Sequence, residues 1–550
     1  MTPLYARRRR TALAAATAVV AGALLTTGLA TGTATAGSAP AGKPVLGAAP
    51  VLLSAAARTS LIQEQQATAA ETAGAIGLGA KEKLIVKDVV RDVDGTVHTR
   101  YERTYDGLPV LGGDLVVHEP AGGTRTVTKA VKAAVAVPSV TPKVTAGKAR
   151  TQALAAADAA GSERAEAGST PRTVVWAAEG TPVLAYETVV GGLQEDGTPN
   201  ELHVITDATT GEKLHEWQAV HTGTGKGLYS GTVTLGTYKS GSTYQLYDTS
   251  RGGHKTYNLA RGTSGTGTLF TDADDTWGTG TASSSSSDQT AAVDAAYGAQ
   301  ITWDFYKNTF GRSGIRNDGK AAYSRVHYGS NYVNAFWQDS CFCMTYGDGS
   351  GNTHPLTSLD VAGHEMSHGV TSVTAGLRYS GESGGLNEAT SDIFGTGAEF
   401  YAANSSDAGD YLIGEKININ GNGTPLRYMD KPSKDGASKD YWSSSLGSVD
   451  VHYSSGPANH FFYLLAEGSG AKTVNGVSYN SPTYDGSTVT GIGRAKALQI
   501  WYKALTTYFT STTNYKAART GTLNAASALY GSSSTEYKAV AAAWKAINVS

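Results

Sequence analysis

Two histidines four positions apart, with a glutamate directly after the first, form the feature of this chain with the clearest chemistry. They are His364, Glu365 and His368, in the stretch GHEMSH. Residues four apart share one face of an α-helix, so both imidazoles can reach the same metal ion. Glu365 lies one step around the helix, where it can act on a water molecule but is poorly placed as a main ligand. This arrangement predicts a zinc site with a general base beside it.

The helix that carries this motif is predicted to begin near Thr357 or Ser358 and to end before Gly376. A metzincin would continue the motif with a glycine and then a histidine, but the chain has Thr371 and Thr374 at those positions. That branch of the zinc-dependent enzymes is therefore excluded.

A third metal ligand is expected on the next predicted helix, where Glu388 follows His368 by 20 residues. Asp392 and Glu399 fall near the same face as Glu388, because separations of 4 and 11 residues are close to whole turns. We expect Glu388 to bind the metal and Asp392 to hold an imidazole. The alternative is an amphipathic helix with solvated acids, which the apolar residues on the neighbouring faces disfavour.

Cys341 and Cys343 are the only two cysteines of the chain. Because one residue separates them, they could bridge only in a small ring. A zinc site would need more thiols or nearby histidines. We therefore expect a loop pair, oxidised or free, with no catalytic part.

Length and composition limit the classes of protein that this chain could be. With 550 residues it is too long for one ordinary core, which predicts two or more domains. Its formal net charge of −2 gives no basic excess for binding nucleic acid or an anionic membrane. Beyond the N-terminus, no stretch holds the roughly 18 apolar residues that a membrane-spanning helix needs. We therefore expect a soluble protein.

The first residues are typical of a secretory signal peptide. A cationic start, MTPLYARRRR, precedes an apolar core over residues 11–30. Small residues at Ala34 and Ala36 predict cleavage after Ala36. An uncleaved membrane anchor is the alternative, but no stop-transfer cluster of charges follows. The four arginines would also suit a twin-arginine export route.

The remaining pattern predicts an α+β protein. Two small units, each a helix with alternating strands, end near Ala219, and a Gly-, Thr- and Tyr-rich β half follows. In that half, a long helix is predicted between an Asp288 cap and Gly311, and helices dominate after the zinc motif. The expected segments are a signal peptide (1–36), a spacer (37–58), two upstream units (59–138 and 139–219), a β-rich lobe with the motif helix (220–374) and a helical lobe (375–550).

Several separate stretches resemble the thermolysin-like neutral metallopeptidases, in their elastase-type bacterial branch. They are GHEMSH, GLRYSGESGGLNEATSDIFG, NAFWQD and DVHYSSGPANHFFYLLA, and they stand in the order found in that family. The resemblance covers most of residues 220–550, and the two upstream units resemble the family's inhibitory prosegment. It implies a two-lobed peptidase with a β-rich N-lobe, an α-helical C-lobe and zinc in the cleft on a central helix.

The resemblance also implies roles for individual residues. Zinc would be held by His364, His368 and Glu388, with Glu365 as general base for the attacking water. Asp392 would orient one zinc histidine, and the backbone of Asn387 would lie near the other. The remaining implied residues are Tyr379 and His452 as oxyanion donors, Asp450 as the partner of His452, Asn334, Ala335 and Arg427 as substrate-backbone contacts, and Leu356, Val361 and Leu426 as walls of a hydrophobic pocket for the residue after the cut.

Calcium is the second ion that the resemblance implies. Asp360, Glu399 and Asp410 would supply carboxylates from three segments. Leu412 stands where the most calcium-rich members carry an acid, so only its carbonyl oxygen could serve there. We therefore expect one site rather than a pair. The alternative is that these acids are helix caps.

The expected function is that of a secreted zinc endopeptidase made as an inactive precursor. Its expected partners are protein and peptide substrates and its own prosegment, which would act as intramolecular inhibitor and folding aid; we expect a monomer without a stable membrane anchor. A non-catalytic binding protein on a decayed scaffold is one alternative, but no ligand or base is missing. A zinc enzyme for non-peptide amides or esters is another alternative. NAFW and Arg427 disfavour it, because they indicate extended peptides as substrates.

Overall fold

The structure is a computed structural model that describes residues 51, 53–131, 134–178, 180–194, 199–220 and 222–550. The predicted signal peptide lies outside these residues. The described chain forms two compact units, divided between Ala219 and Val220. Over the described ranges, no helix has both the length and the apolar character needed to cross a membrane.

The first unit is built on a nine-stranded sheet. Its described helices are α1 (Ala55–Ala67), α2 (Ala69–Ala75) and α3 (Ala146–Ala159). Its strands are β1 (Glu82–Arg91), β2 (Val97–Tyr105), β3 (Leu108–Glu119), β4 (Thr126–Lys129), β5 (Glu163–Ala167), β6 (Arg172–Trp176), β7 (Val183–Leu193), β8 (Leu202–Asp207) and β9 (Lys213–Gln218). The sheet order is β1-β2-β3-β6-β7-β8-β9, with β4 beside β3 and β5 beside β7.

The two predicted upstream units share this one sheet. The parallel pair β3–β6 joins them, with Val110 opposite Val175. Each half keeps its own hydrophobic clusters, one around Leu84 and Tyr101 and another around Ala153 and Val204. The alternation of buried and exposed residues along β1 is that of a strand covered on one face by helices.

The second unit begins with short strands that form several small sheets. They are β10 (Thr222–Lys226), β11 (Thr232–Gly236), β12 (Tyr238–Ser240), β13 (Thr243–Gln245), β14 (Tyr247–Asp248), β15 (His254–Asn258), β16 (Thr268–Leu269), β17 (Thr271–Asp272), β18 (Thr276–Trp277), β19 (Tyr323–Val326), β20 (Ala335–Gln338) and β21 (Cys343–Tyr346). The largest sheet has the order β14-β15-β19-β21-β20, with β16 beside β15. Strand β20 is therefore an edge strand.

The helices of the second unit include α5, which carries the zinc motif. They are α4 (Gln289–Phe310), α5 (Leu359–Ser372), α6 (Gly381–Ala402), α7 (Val451–Ser454), α8 (Gly456–Glu467), α9 (Arg494–Thr507), α10 (Tyr515–Tyr530) and α11 (Thr535–Ala546). Two hairpins lie between them, β22 (Leu412–Ile413) with β23 (Arg427–Tyr428) and β24 (Gly470–Val474) with β25 (Val477–Ser481). Short 3-10 turns occur at Ser350–Asn352, Pro432–Asp435 and Leu446–Ser448.

Helix α4 has the predicted ends. The Asp288 side chain accepts a hydrogen bond from the Thr290 amide, and Gly311 ends the helix in the left-handed region at φ 70°. Most of α4 is buried, and it packs against both α5 and α6. This helix is therefore the support on which the two motif helices rest.

Helices α5 and α6 approach each other closely because glycines face each other across their contact. A Cβ atom on Gly395 would lie 2.4 Å from the carbonyl oxygen of Asp360 and 3.1 Å from the amide nitrogen of His364. A Cβ on Gly363 would lie 3.0 Å from the Cα of Gly395. Larger residues would hold the helices apart, so these glycines set the distance between the acids of α6 and the histidines of α5.

Candidate metal centre and active site

The three predicted zinc ligands converge. Nε2 of His364 lies 3.0 Å from Nε2 of His368. Glu388 places Oε2 at 3.5 Å from the first of these nitrogens and Oε1 at 3.4 Å from the second. Two adjacent turns of α5 and one turn of α6 thus present two imidazoles and a carboxylate to one point.

This set fits a zinc ion in three respects. A tetrahedral ion with bonds of about 2.0–2.1 Å needs ligand atoms about 3.3 Å apart, close to the observed separations. Oε2 of Glu388 is buried and has no hydrogen-bond partner, so an acceptor faces the centre unsatisfied. Two imidazole nitrogens and a carboxylate oxygen are also the donor types that catalytic zinc sites use.

Both histidines are oriented through their second nitrogen. Nδ1 of His364 lies 2.8 Å from Oδ1 of Asp392, as the sequence predicted. Nδ1 of His368 lies 2.7 Å from the side-chain Oδ1 of Asn387. The resemblance implied the backbone of Asn387 near His368, and the contact that the structure shows is made by the amide side chain of Asn387. Each contact leaves Nε2 directed at the centre.

The Asp392 carboxylate receives four hydrogen bonds. His364 and Nη2 of Arg427 reach Oδ1, while Nε of Arg427 and Nδ2 of Asn459 reach Oδ2 at 2.8 Å each. Burial raises the pKa of Asp392, but Arg427 and His364 outweigh burial and hold the pKa below its ordinary value. Asp392 is therefore a fixed, charged partner for His364.

The sequence did not predict two of these partners of Asp392. Arg427, expected as a substrate contact, is buried and commits Nε and Nη2 to Asp392. Asn459, on α8, is 1% exposed and was not predicted for the site at all. Its position is 67 residues from Asp392, and no local spacing signals such a pair.

Glu365 lies beside the convergent ligands in a dry environment. It is buried, and this burial raises the pKa of its carboxyl although His364 and His368 act in the opposite direction. A carboxylate with a raised pKa is better suited to take up and return a proton than an ordinary surface carboxylate. The structure thus places the predicted base next to the predicted metal.

Tyr379, His452 and Asp450 also come together. The Tyr379 hydroxyl lies 3.1 Å from Nε2 of His452 and donates a hydrogen bond to Oε1 of Glu388. Nδ1 of His452 lies 2.8 Å from Oδ1 of Asp450, which also caps α7. The side chain of Tyr379 lies at the surface, and His452 is partly exposed. Two polar groups thus border the centre on its solvent side.

The predicted substrate-backbone contacts lie at the start of strand β20. Ala335 pairs with Tyr346 of β21, and the carbonyl of Asn334 accepts a hydrogen bond of 3.0 Å from the amide of Gly347. The other side of β20 has no neighbouring strand among the described residues. An extended peptide could therefore add to this edge.

The three predicted pocket walls differ in their surroundings. Leu356 and Val361 are 3% and 8% exposed and belong to the main hydrophobic core. Leu426 is half-buried, and its amide donates to the carbonyl of Ile413 at 2.7 Å. Their role in specificity remains a prediction.

A second group of acids is buried at the far end of α5 and α6. Carboxylate oxygens of Asp360, Glu399 and Glu415 lie within 4.8 Å of one another. Buried oxygens of Glu399 and Glu415 and both carboxylate oxygens of a neighbour, Asp407, have no hydrogen-bond partner. Clustered hard oxygen donors with unsatisfied acceptors fit a calcium ion.

Only part of this second group was predicted from the sequence. Asp360 and Glu399 are in it, but Asp410 and Leu412 stand beside it: the Asp410 amide donates to Glu399, and the Leu412 amide donates to Asp410. Glu415 was missed, because it lies in a loop without helical spacing. Its pKa is raised to about 10 by burial and by Asp360.

Known protein families match parts of both units of the chain. Residues 222–372 match the thermolysin metallopeptidase catalytic domain, residues 375–549 its alpha-helical domain, and residues 82–131 the fungalysin/thermolysin propeptide motif. A transglutaminase-activating metalloprotease of Streptomyces mobaraensis is 63% identical over 98% of this chain and 72% of its own length. A thermolysin of Alicyclobacillus acidocaldarius is 36% identical over 78% of this chain and 79% of its own length.

Among solved structures, the precursor of protealysin from Serratia proteamaculans matches 54% of this chain and 87% of its own, at 28% identity and a TM-score of 0.41. The site has the layout of a zinc-type metallopeptidase, with two helices presenting three candidate ligands and a candidate base. The chain belongs to the thermolysin metallopeptidase family. It is thus a hydrolase acting on peptide bonds, and it carries a propeptide motif. The family implies a catalytic zinc ion.

Proposed function

We propose that the chain is a secreted zinc-dependent endopeptidase in which Glu365 is the general base. The observation that carries this proposal is the convergence of His364, His368 and Glu388, with Glu365 on the same helix. When bound there, zinc would polarise the scissile carbonyl and make a water molecule more acidic.

The residues around the centre would handle protons and charge. Glu365 would take a proton from the attacking water and return it to the leaving amine. Asp392 and Asn387 would keep Nε2 of each histidine deprotonated and aimed at the ion. Tyr379 and His452 would donate hydrogen bonds to the carbonyl oxygen as negative charge develops on it. Asp450 would hold His452 as a donor at Nε2.

Substrate would lie along strand β20 in an extended conformation. Asn334 and Ala335 would pair with its backbone, and Leu356, Val361 and Leu426 would form a pocket that prefers bulky hydrophobic residues after the cut. Arg427 would act mainly through Asp392, with which it shares two hydrogen bonds. A transglutaminase precursor is a candidate natural substrate, because the relative from Streptomyces mobaraensis is named as a transglutaminase activator.

We further propose one calcium ion at Asp360, Glu399 and Glu415, with Asp407 and Asp410 nearby.

The chain would be made with a signal peptide (1–36) and a prosegment (59–219), and cut between Ala219 and Thr222 to give a mature enzyme that works as a monomer. The propeptide motif over residues 82–131 supports the prosegment.

The decisive variant is Glu365→Gln, which keeps shape and removes the proton acceptor. We expect kcat on casein to fall by about 10²–10⁴-fold, the usual contribution of general acid–base catalysis. Bound zinc, measured by elemental analysis, should stay at wild-type stoichiometry. His364→Gln is the matched control, because it should lose zinc as well as activity. Full activity of Glu365→Gln on a properly matured sample would rule out Glu365 as the base.

A further inference from the structure

The hairpin β20–β21 carries a feature that the proposed reaction does not use. Its tip, Asp339–Phe342, is closed by a disulfide between Cys341 and Cys343. Cys343 also pairs across the hairpin with Gln338, the last residue of the edge strand. The bridge therefore fixes the turn directly at the end of the strand on which substrate would lie.

The disulfide encloses one residue, Phe342, and holds it in an unusual conformation. Phe342 has a φ of 54°, in the left-handed region that bulky side chains rarely adopt. Its ring packs edge-on against Trp337 at 5.2 Å between centroids. The guanidinium of Arg316 lies over the ring, 3.8 Å from its centroid. Two neighbours thus hold the ring where the bridge places it.

Trp337 connects the tip of this hairpin to α5, the helix that carries the zinc motif. Its Nε1 donates to Asp339 at 2.7 Å, which ties the indole to the same hairpin tip. On its other side the indole lies on Gly369, the residue after His368: a Cβ added to Gly369 would be 2.8 Å from Cζ2 of Trp337. This aromatic contact is therefore one of several that position the edge strand against α5.

A buried cation supports the bridge from the next strand. Arg325 of β19 donates two hydrogen bonds to Thr345, at 2.7 and 3.0 Å, and one to Gln338 at 3.3 Å. The same guanidinium lies 3.7 Å from the sulfur of Cys341. Bridge, edge strand and sheet thus share one anchoring side chain.

We propose that the Cys341–Cys343 disulfide is a positioning element for extended substrates. It holds Phe342 and Trp337 in place, and through them it fixes β20 at the distance from α5 at which Asn334 and Ala335 can pair with a peptide. This inference rests on the proposed function, because it assumes that substrate adds to β20. Opening the bridge lets Phe342 leave its strained conformation and loosens the strand, while the ligands and base on α5 and α6 keep their own supports.

Loss of the bridge should therefore weaken the cleavage of long peptides much more than the cleavage of short ones. Long peptides need β20, so their KM rises when the bridge is absent; each backbone hydrogen bond lost at the edge costs about fivefold in kcat/KM. A blocked dipeptide that spans only the cut bond offers far fewer backbone groups to the strand than a long peptide does. Its kcat/KM should stay within about twofold of the native value.

The test compares the native protein with the double variant C341S/C343S. Both are assayed on a fluorogenic peptide of about eight residues and on a blocked dipeptide, after unfolding temperature and zinc content have been measured. We expect KM for the long peptide to rise about fivefold or more, with kcat nearly retained. A folded variant with unchanged KM for the long peptide overturns the proposal, and so does an equal loss of kcat on both substrates.

A second experiment opens the bridge in the native protein and decides the question even if the variant folds poorly. A water-soluble phosphine is oxidised as the bridge gains two electrons and two protons, and alkylation with mass analysis counts the thiols. The chain has only two cysteines, so the count is unambiguous. The variant in the same phosphine controls for loss of zinc. A doubly alkylated, zinc-loaded protein with native KM contradicts the proposal, whereas a native protein that cleaves neither substrate contradicts the proposed function instead.

Discussion

At the scale of single residues, the site depends on how the ligands are held as much as on the ligands themselves. Asp392 is the clearest case, because its two oxygens accept four hydrogen bonds from three side chains. The donors come from α5, β23 and α8. His364 is thus oriented by a carboxylate that cannot turn without breaking contacts to distant parts of the chain.

Replacing Asn459 should weaken zinc binding without unfolding the protein. Asn459→Leu keeps the number of side-chain heavy atoms and the branch at Cγ, and it removes the donor to Asp392 together with a buried Oδ1 that has no partner. The loss of one hydrogen bond to a charged group should lower zinc affinity by about tenfold. Competition with a chelator of known affinity measures the change, alongside the unfolding temperature of the zinc-free protein.

Asn459→Asp is the matched variant for that experiment. It keeps the shape but places a second carboxylate against Asp392, so its loss of zinc affinity should exceed that of Asn459→Leu. Equal zinc affinity in the native protein and in folded Asn459→Leu would show that Asn459 serves packing alone.

At the scale of elements, the distance between α5 and α6 decides whether three ligands can share one ion. The glycines at the crossing permit that distance, and both helices rest on α4. The atoms nearest to a Cβ on Gly395 are backbone atoms of α5, which cannot rotate aside. The crossing therefore has little room for adjustment.

Gly395→Ala should lower zinc affinity as well as stability. Alanine favours the helix by up to about 1 kcal/mol, but overpacking against the Asp360 carbonyl should cost about 1–3 kcal/mol and push Glu388 away from the histidines. Gly397→Ala is the control, since its Cβ would meet side chains of Phe305 and Leu498 rather than α5. We expect thermal unfolding to shift in both variants and chelator competition to show weaker zinc binding only in Gly395→Ala. Native zinc affinity in Gly395→Ala would refute the argument.

At the scale of the whole molecule, the buried acids near Asp360 link α5, α6 and the following loop. Burial and repulsion by neighbouring acids raise the pKa of Asp407 to about 7. The same two causes raise the pKa of Asp410 to about 7, although a hydrogen bond from the Leu412 amide partly offsets them. Since these values exceed the ordinary value of about 3.9, the metal-free fold is most stable with the acids protonated and loses stability as pH rises through about 7.

Calcium should reverse this dependence of stability on pH, because the ion takes the place of the protons on the buried acids. The rise in unfolding temperature on adding millimolar calcium should be small near pH 5 and larger near pH 8, as protons no longer compete. The inactive Glu365→Gln protein, kept loaded with zinc, avoids self-digestion during the scan. Glu415→Gln should gain less from calcium at the higher pH. A gain that is the same at both pH values would contradict a site made of these acids.

The upstream unit should assist folding of the second unit and then inhibit it. Residues 220–550 expressed alone should give a low yield of active enzyme, and adding residues 59–219 as a separate chain during refolding should raise it. The same chain added to mature enzyme should slow peptide cleavage. Full yield and activity of residues 220–550 alone would contradict both roles.

Sequence spacing predicted the parts of the site that lie on single helices. The four-residue repeat of His364 and His368 and the capped ends of α4 follow from helical geometry alone, and the structure agrees with both. The α+β fold class and the family are also confirmed. Local patterns carry this information because one helix or one cap needs no distant partner.

Long-range partners were decided only in three dimensions. The sequence could not show that Asn459 would meet Asp392, that Arg427 would turn to the same carboxylate, or that Glu415 would join Asp360 and Glu399. Nor could it show that β3 and β6 would join the two upstream units into one sheet. Such contacts depend on how helices and loops pack, and a buried charge takes whichever partner that packing brings within reach. The sequence alone determined which chemistry this chain can carry, and the tertiary structure decided which side chains hold that chemistry in place.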